Sequence, residues 1–167
     1  VEPVQVVVMG VSGSGKTTVG ELLAERLGVP FVDGDALHPP ANVAKMASGT
    51  PLTDEDRIPW LQEVGRTLAS TGPDGVVVAC SALKRAYRDL IRAEAPAAVF
   101  AELDGTRELL AARMSERPGH FMPVSLLDSQ LATLEPLQSD EAGLRLDVGR
   151  PPRALADAVA AALPPRA

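Results

Sequence analysis

The stretch Gly10-Val11-Ser12-Gly13-Ser14-Gly15-Lys16-Thr17 lies between the apolar run Val4 to Met9 and the helical pattern Thr18 to Leu27. A glycine-rich phosphate cradle between strand and helix confines the chain to folds in which a buried strand feeds directly into a helix N-terminus. Glycines let the backbone approach phosphate oxygens closely, and the N–H groups at the helix start attract anions. Lys16 brings a mobile positive charge to the β- and γ-phosphates, and the Thr17 hydroxyl has the length and hardness to ligate Mg²⁺. Gly10, Val11, Ser12, Gly13, Ser14, Gly15, Lys16, Thr17 and Thr18 therefore read as the binding stretch for a nucleoside triphosphate and its Mg²⁺.

Beyond this motif, short β-branched runs alternate with helical stretches, which predicts an α/β fold with a mostly parallel sheet covered on both faces. Strands are expected at Gln5 to Met9, Pro30 to Asp33, Val76 to Cys80, Ala98 to Leu103 and Leu144 to Val148. The first helix should end at Gly28. A capping start at Thr53 and Asp56, with Pro59 in the first turn, should introduce another helix through Trp60, Leu61, Val64 and Leu68. Further helices fit Ala82 to Ala95, Thr106 to Glu116, Val124 to Leu134 and Arg153 to Leu163. At 167 residues the expectation is one domain spanning 1–167, with a lid at about 113–123 carrying Arg-Pro-Gly-His-Phe-Met-Pro.

The formal net charge of −6 argues against a nucleic-acid partner, because the overall field repels phosphate backbones. No apolar stretch approaches the roughly 20 residues a bilayer span needs, and nothing at the amino end reads as a signal peptide. A cytoplasmic enzyme without membrane contact is expected. Cys80 stands alone, which leaves no intrachain disulfide, and no Cys/His cluster suggests structural zinc. The three lysines, Lys16, Lys45 and Lys84, and the two histidines, His38 and His120, all fall in segments that other features single out.

In open α/β sheets the site lies beyond the carboxyl ends of the strands. The second strand ends in Asp33-Gly34-Asp35, where Asp35 could accept a proton from an attacking hydroxyl, orient it, or help hold magnesium directly or through water. The third ends in Cys80-Ser81-Ala82 rather than in an acid. Lys84 and Arg88 follow one turn apart, as candidate anion binders. Arg113 and Arg117, also one turn apart, could close over the transferring phosphate and neutralise its charge. Trp60 reads as a packing anchor and Cys80 as a small buried strand residue.

Several segments together resemble the gluconate kinases of the small P-loop type. They are Asp33-Gly34-Asp35-Ala36-Leu37-His38-Pro39, Asn42, Lys45-Met46, Asp54-Glu55-Asp56-Arg57-Ile58-Pro59-Trp60-Leu61, Ala79-Cys80-Ser81-Ala82-Leu83-Lys84-Arg85, Tyr87-Arg88, Gly119-His120-Phe121-Met122-Pro123, Ser129-Gln130 and Leu134-Glu135-Pro136-Leu137. The resemblance runs from Val4 to about Leu163. It implies ATP-dependent phosphorylation of D-gluconate at its 6-hydroxyl, a three-layer P-loop fold like that of nucleoside-monophosphate kinases, a five-stranded sheet in order 2-3-1-4-5 with a lid, and a homodimer. It also implies that Arg57 reaches the substrate and that Val148-Gly149-Arg150-Pro151 borders the adenine, making Arg150 and Pro151 nucleotide contacts. Gluconate needs cations about a molecule's length from Asp35, with hydrogen-bonding groups between. Arg57, Lys45, Arg88 and His120 are candidates for the first role, and His38, Ser81 and Gln130 for the second.

A kinase of another small hydroxy acid, shikimate foremost, would use the same phosphate machinery. A GTP-dependent switch would carry an Asn-Lys-x-Asp motif, which the sequence lacks. A catalytically dead binding module would have lost Lys16, Asp35 or the lid arginines, all of which are present.

Overall fold

The computed structural model describes residues 3–11, 13–115 and 124–163. In chain order its elements are β1 (Val4–Met9), α1 (Lys16–Leu27), β2 (Phe31–Asp33), a 3-10 turn (Gly34–Leu37), α2 (Pro40–Ala47), α3 (Asp54–Ala69), β3 (Gly75–Ala79), α4 (Arg85–Glu94), β4 (Val99–Asp104), α5 (Arg107–Ser115), α6 (Val124–Thr133), β5 (Gly143–Asp147) and α7 (Pro152–Ala162). All five strands run parallel, as the alternation of strands and helices predicts, in the order β2-β3-β1-β4-β5 that the family resemblance implies.

Period-two alternation along β1 explains the three layers. Val4, Val6 and Val8 pack with Val19 and Leu23 of α1, Leu110 and Met114 of α5, and Leu155 and Val159 of α7. Val7 and Met9 turn the other way, into Trp60, Leu61, Val64 and Leu68 of α3 and Ile91 of α4. A strand apolar on both faces is therefore the middle of the molecule, and burying each such side chain contributes roughly 1.5–3 kcal/mol. Val8 is in register with Ala79 of β3 and Ala101 of β4, so the carboxyl ends of these strands open on one edge. The phosphate cradle, the 3-10 turn and the Cys80–Lys84 connection follow β1, β2 and β3 at that edge.

Three local differences from the sequence expectation matter. Pro39-Pro40 is more than punctuation, because Pro40 opens α2, where a missing N–H costs nothing. Of the eight residues in α2, Asn42 alone is buried, so no apolar stripe announces it; Val43 and Met46 face outward. Helix α3 does begin with the Thr53/Asp56 capping box, but Pro59 lies in its second turn. The carbonyl of Glu55, which Pro59 cannot satisfy, belongs to an exposed residue that water can serve. Finally, α4 starts at Arg85 rather than Ala82, because Ala82 sits at φ 43°, in the left-handed region that no helix continues through.

Candidate active site

The cradle is built as its composition demands. Gly15 holds φ 91° at the entry to α1, where a side chain would be strained, and the buried Ser14 folds its hydroxyl back to donate to the Val11 carbonyl at 2.6 Å. Lys16 curls over its own loop, donating to the carbonyls of Gly10 at 3.0 Å and Val11 at 3.2 Å. Thr17 and Thr18 are exposed in the first turn of α1. The Gly10 N–H donates to the Ser81 carbonyl at 3.3 Å, which fastens the cradle to the turn after β3. A methyl group at Gly13 would lie 2.7 Å from Met114 Cγ, so the last turn of α5 closes the other side of the loop.

Asp35 reaches the same edge on the 3-10 turn, which Asp33 caps by accepting its N–H at 3.0 Å. The turn sits tightly on β3, for a methyl on Gly34 would come within 2.4 Å of the Ala79 carbonyl. Asp35 is exposed. The thiol of Cys80 is fully buried, and burial pushes its pKa up to about 12; the charges of Asp35, Lys16 and Asp33 all act on it, which places these three groups around one strand end. A thiol held neutral in this way is packing, as expected.

A wall of aromatic and charged groups continues from Asp35. The His38 ring stacks on Trp60 with centroids 4.1 Å apart and planes 18° from parallel, while Trp60 Nε1 donates to the Gly34 carbonyl at 2.8 Å. Burial lowers the His38 pKa, with Asp35 raising it and Arg57 lowering it further. Tyr87 donates to Asp54 at 2.5 Å, Lys84 donates to the same carboxylate at 3.2 Å, and Arg57 and Lys84 both lie over the Tyr87 ring, at 5.7 and 5.5 Å. The bonds from Tyr87 and Lys84 hold the Asp54 carboxyl below the usual range. Arg57 also donates to the Leu52 carbonyl at 2.9 Å, and Lys45 pairs with Asp56 at 2.7 Å, a contact that draws the Asp56 carboxyl down to about 2. Sequence reasoning assigned no site role to Asn42, Asp54 or Tyr87, and read Asp56 only as a helix cap. Their pairing crosses from α2 and α4 to α3, and no spacing along the chain encodes it.

One expected contact must be corrected. Arg88 does not share a face with Lys84. Lys84 is the N-cap residue of α4, whereas Arg88 is completely buried, bonded to Glu141 at 2.7 and 2.9 Å, to the Ala82 carbonyl at 2.9 Å and to that of Pro136 at 3.4 Å. Its donors are consumed inside the protein, so it is a clamp on the β3–α4 turn rather than a substrate contact. Arg113 donates to the Val148 carbonyl. This sets it beside the exposed Gly149, Arg150 and Pro151 that precede α7. Ser81 is half-buried beside Cys80, and Gln130 lies on α6. Ser12, Arg117, His120 and residues 116–123 of the lid expected at about 113–123 lie outside the described residues, and its first residues, 113–115, form the end of α5.

This arrangement can be set beside known proteins. The shikimate kinase family matches residues 12–141. A gluconokinase of Gluconobacter oxydans is 53% identical over 148 residues, covering 87% of this chain and 83% of the relative. The chain belongs to the gluconokinase family. The thermosensitive gluconokinase of Escherichia coli is 48% identical, covering 85% of this chain and 78% of its own. The solved gluconokinase of Sinorhizobium meliloti superposes with a TM-score of 0.86 at 52% identity, over 96% of this chain and 91% of the other. Gluconokinase membership makes the chain an enzyme of the kinase class, in keeping with a phosphate cradle facing a polar, cation-bearing wall. Among the described residues no helix is long and apolar enough to cross a membrane.

Proposed function

We propose that the protein transfers the γ-phosphoryl group of ATP to the 6-hydroxyl of D-gluconate, giving 6-phospho-D-gluconate and ADP. The observation that carries this reading is the continuity of cradle, Asp35 and the His38/Trp60/Arg57/Lys84 wall along one sheet edge, in a chain that shares about half its residues with gluconokinases. A flexible polyol acid suits that edge, with its terminal hydroxyl at Asp35 and its carboxylate among the cations.

In the proposed reaction Lys16 leaves its loop carbonyls to follow the γ-phosphate. Asp35 orients the 6-hydroxyl and takes its proton as the new O–P bond forms and the bond to the ADP oxygen breaks. Arg113, with Gly149, Arg150 and Pro151, lines the nucleotide side. Arg117 would complete the charge neutralisation and His120 the substrate side. Arg57 and Lys84 are the carboxylate partners, with Lys45 behind them, and His38, Ser81 and Gln130 serve the hydroxyls. The hard oxygens of Thr17 and Asp35, both exposed beside the cradle, fit Mg²⁺, which takes few protein ligands and keeps water and phosphate oxygens. When bound, the ion would neutralise phosphate charge. Dependence on ATP implies work in the cytoplasm, and the family resemblance implies a homodimer; sedimentation gives the mass directly.

Phosphorus NMR of the reaction mixture tests the assignment. A phosphomonoester on C6 of gluconate, formed only with ATP and the active protein, is expected. ADP formed at the same rate with and without gluconate would count against it.

A further inference from the structure

Besides its stacking on Trp60, the His38 ring bonds to the described residues through one nitrogen. Its Nδ1 lies 3.2 Å from Asn42 Nδ2, and among the described residues Nε2 has no hydrogen-bond partner. Asn42 is 3% exposed, the one buried residue of α2, and its Nδ2 also donates to the Asp56 carbonyl at 2.8 Å. A carbonyl can only accept, so the amide must turn its NH₂ end, and not its oxygen, toward Asp56. The second hydrogen of that NH₂ is then directed at His38 Nδ1. A nitrogen facing a donor must offer its lone pair, and the ring proton is left on Nε2.

We propose that Asn42 is a positioning residue that fixes His38 as the neutral Nε2–H tautomer, so that the ring presents a hydrogen-bond donor to a hydroxyl of the polyol. The inference rests on the gluconate reading for the identity of that hydroxyl, but not for the tautomer. Two further contacts make the setting rigid. Stacking on Trp60 fixes the ring plane, and the bond from Trp60 Nε1 to Gly34 ties that plane to the turn bearing Asp35. Protonating Nδ1 would set two N–H donors against each other, so the amide opposes the imidazolium as well as the other tautomer. The charged groups around the ring are Asp35 on the 3-10 turn, Arg57 on α3, and the Lys45–Asp56 pair that flanks Asn42. A neutral donor here has a chemical use. An imidazolium beside Asp35 would compete with Arg57 and Lys84 for the substrate carboxylate and favour a reversed binding mode, whereas a neutral N–H donates to a hydroxyl oxygen without adding a charge that draws the carboxylate.

The chain has only two histidines, so ¹⁵N-histidine NMR of the whole protein is easily assigned, with a His120→Gln sample identifying the His38 signals. The wild type should show the Nε2–H form at neutral pH. In Asn42→Leu the two tautomers should mix. Loss of one oriented hydrogen bond should lower kcat/KM for gluconate about tenfold, mainly through KM, and leave KM for ATP unchanged. An Nδ1–H form in the wild type overturns the proposal whether or not the variant folds. So does a tautomer unmoved in a folded Asn42→Leu. If the tautomer behaves as stated but the wild type does not phosphorylate gluconate, the substrate reading falls and the assignment of Asn42 as the group fixing the ring stands.

Discussion

Replacing Glu141 by glutamine should be among the most destabilising single polar changes available to this fold. Its carboxylate is completely buried and receives Arg88 Nε at 2.7 Å, Arg88 Nη2 at 2.9 Å, Arg92 Nη1 at 3.0 Å and the Gln138 N–H at 3.1 Å. Burial alone would raise the carboxyl pKa; the bonds from Arg88, Gln138 and Arg92 outweigh it and bring the value down to about 2 from an ordinary 4.5. At 1.36 kcal/mol per unit, that difference of about 2.5 units corresponds to roughly 3 kcal/mol of folding free energy. Removing one member of a buried ion pair costs a similar amount, about 3–5 kcal/mol, since the Arg88 charge would remain inside without its counterion. Urea unfolding should therefore show Glu141→Gln less stable by about 3 kcal/mol with an unchanged m-value, and Tm should fall by roughly 6–12 °C. The sign with pH follows from a depressed folded-state pKa. The contribution is complete above about pH 4.5 and is lost as pH falls toward 2, so the gap between wild type and variant should narrow across that window. A loss under about 1 kcal/mol at pH 7, or a gap that stays constant through the window, would refute the reasoning.

Asp35→Asn should cut kcat by roughly 10² or more while leaving KM for ATP near its original value, because a hydroxyl-orienting base is lost and the cradle is untouched; an effect confined to the ATP Michaelis constant would make Asp35 a nucleotide or metal ligand instead. Arg57→Met should raise KM for gluconate about tenfold or more with little change for ATP, as measured by initial rates, since it removes a cation from the wall and none from the cradle. Gly34→Ala should destabilise by about 1–3 kcal/mol in thermal unfolding, because the added methyl would meet the Ala79 carbonyl at 2.4 Å; wild-type stability would show that the 3-10 turn can move off β3.

How much of this was legible in the chain depends on whether a feature is local. The cradle could be read because all its requirements fall within eight consecutive residues, and the parallel sheet because short β-branched runs alternate with helices, whereas the strand order came only with the family resemblance. Asp35 could be placed because it closes a strand whose end must lie at the edge. Arg88 could not. A buried arginine and a surface arginine have the same spacing from Lys84, and the deciding partner, Glu141, lies 53 positions away. Helix α2 was hidden for a related reason, since it is held by one buried amide and a Lys45–Asp56 pair rather than by an apolar stripe. The left-handed Ala82 was equally unreadable, because alanine ordinarily extends a helix and here Arg88 fastens its carbonyl in the turn.

The central claim is that a phosphate cradle on this edge faces a site for a linear polyol acid. Its most direct measurement is kcat/KM for gluconate, glucose and shikimate with the same ATP-coupled assay. Glucose shares most hydroxyls but brings no carboxylate to Arg57 and Lys84, leaving them with Asp54 as their carboxylate partner, so gluconate should be preferred on the order of 10³, and shikimate should fail because its rigid ring cannot bring a primary hydroxyl to Asp35. Equal values for gluconate and glucose would contradict the anion site, and a preference for shikimate would contradict the substrate assignment itself.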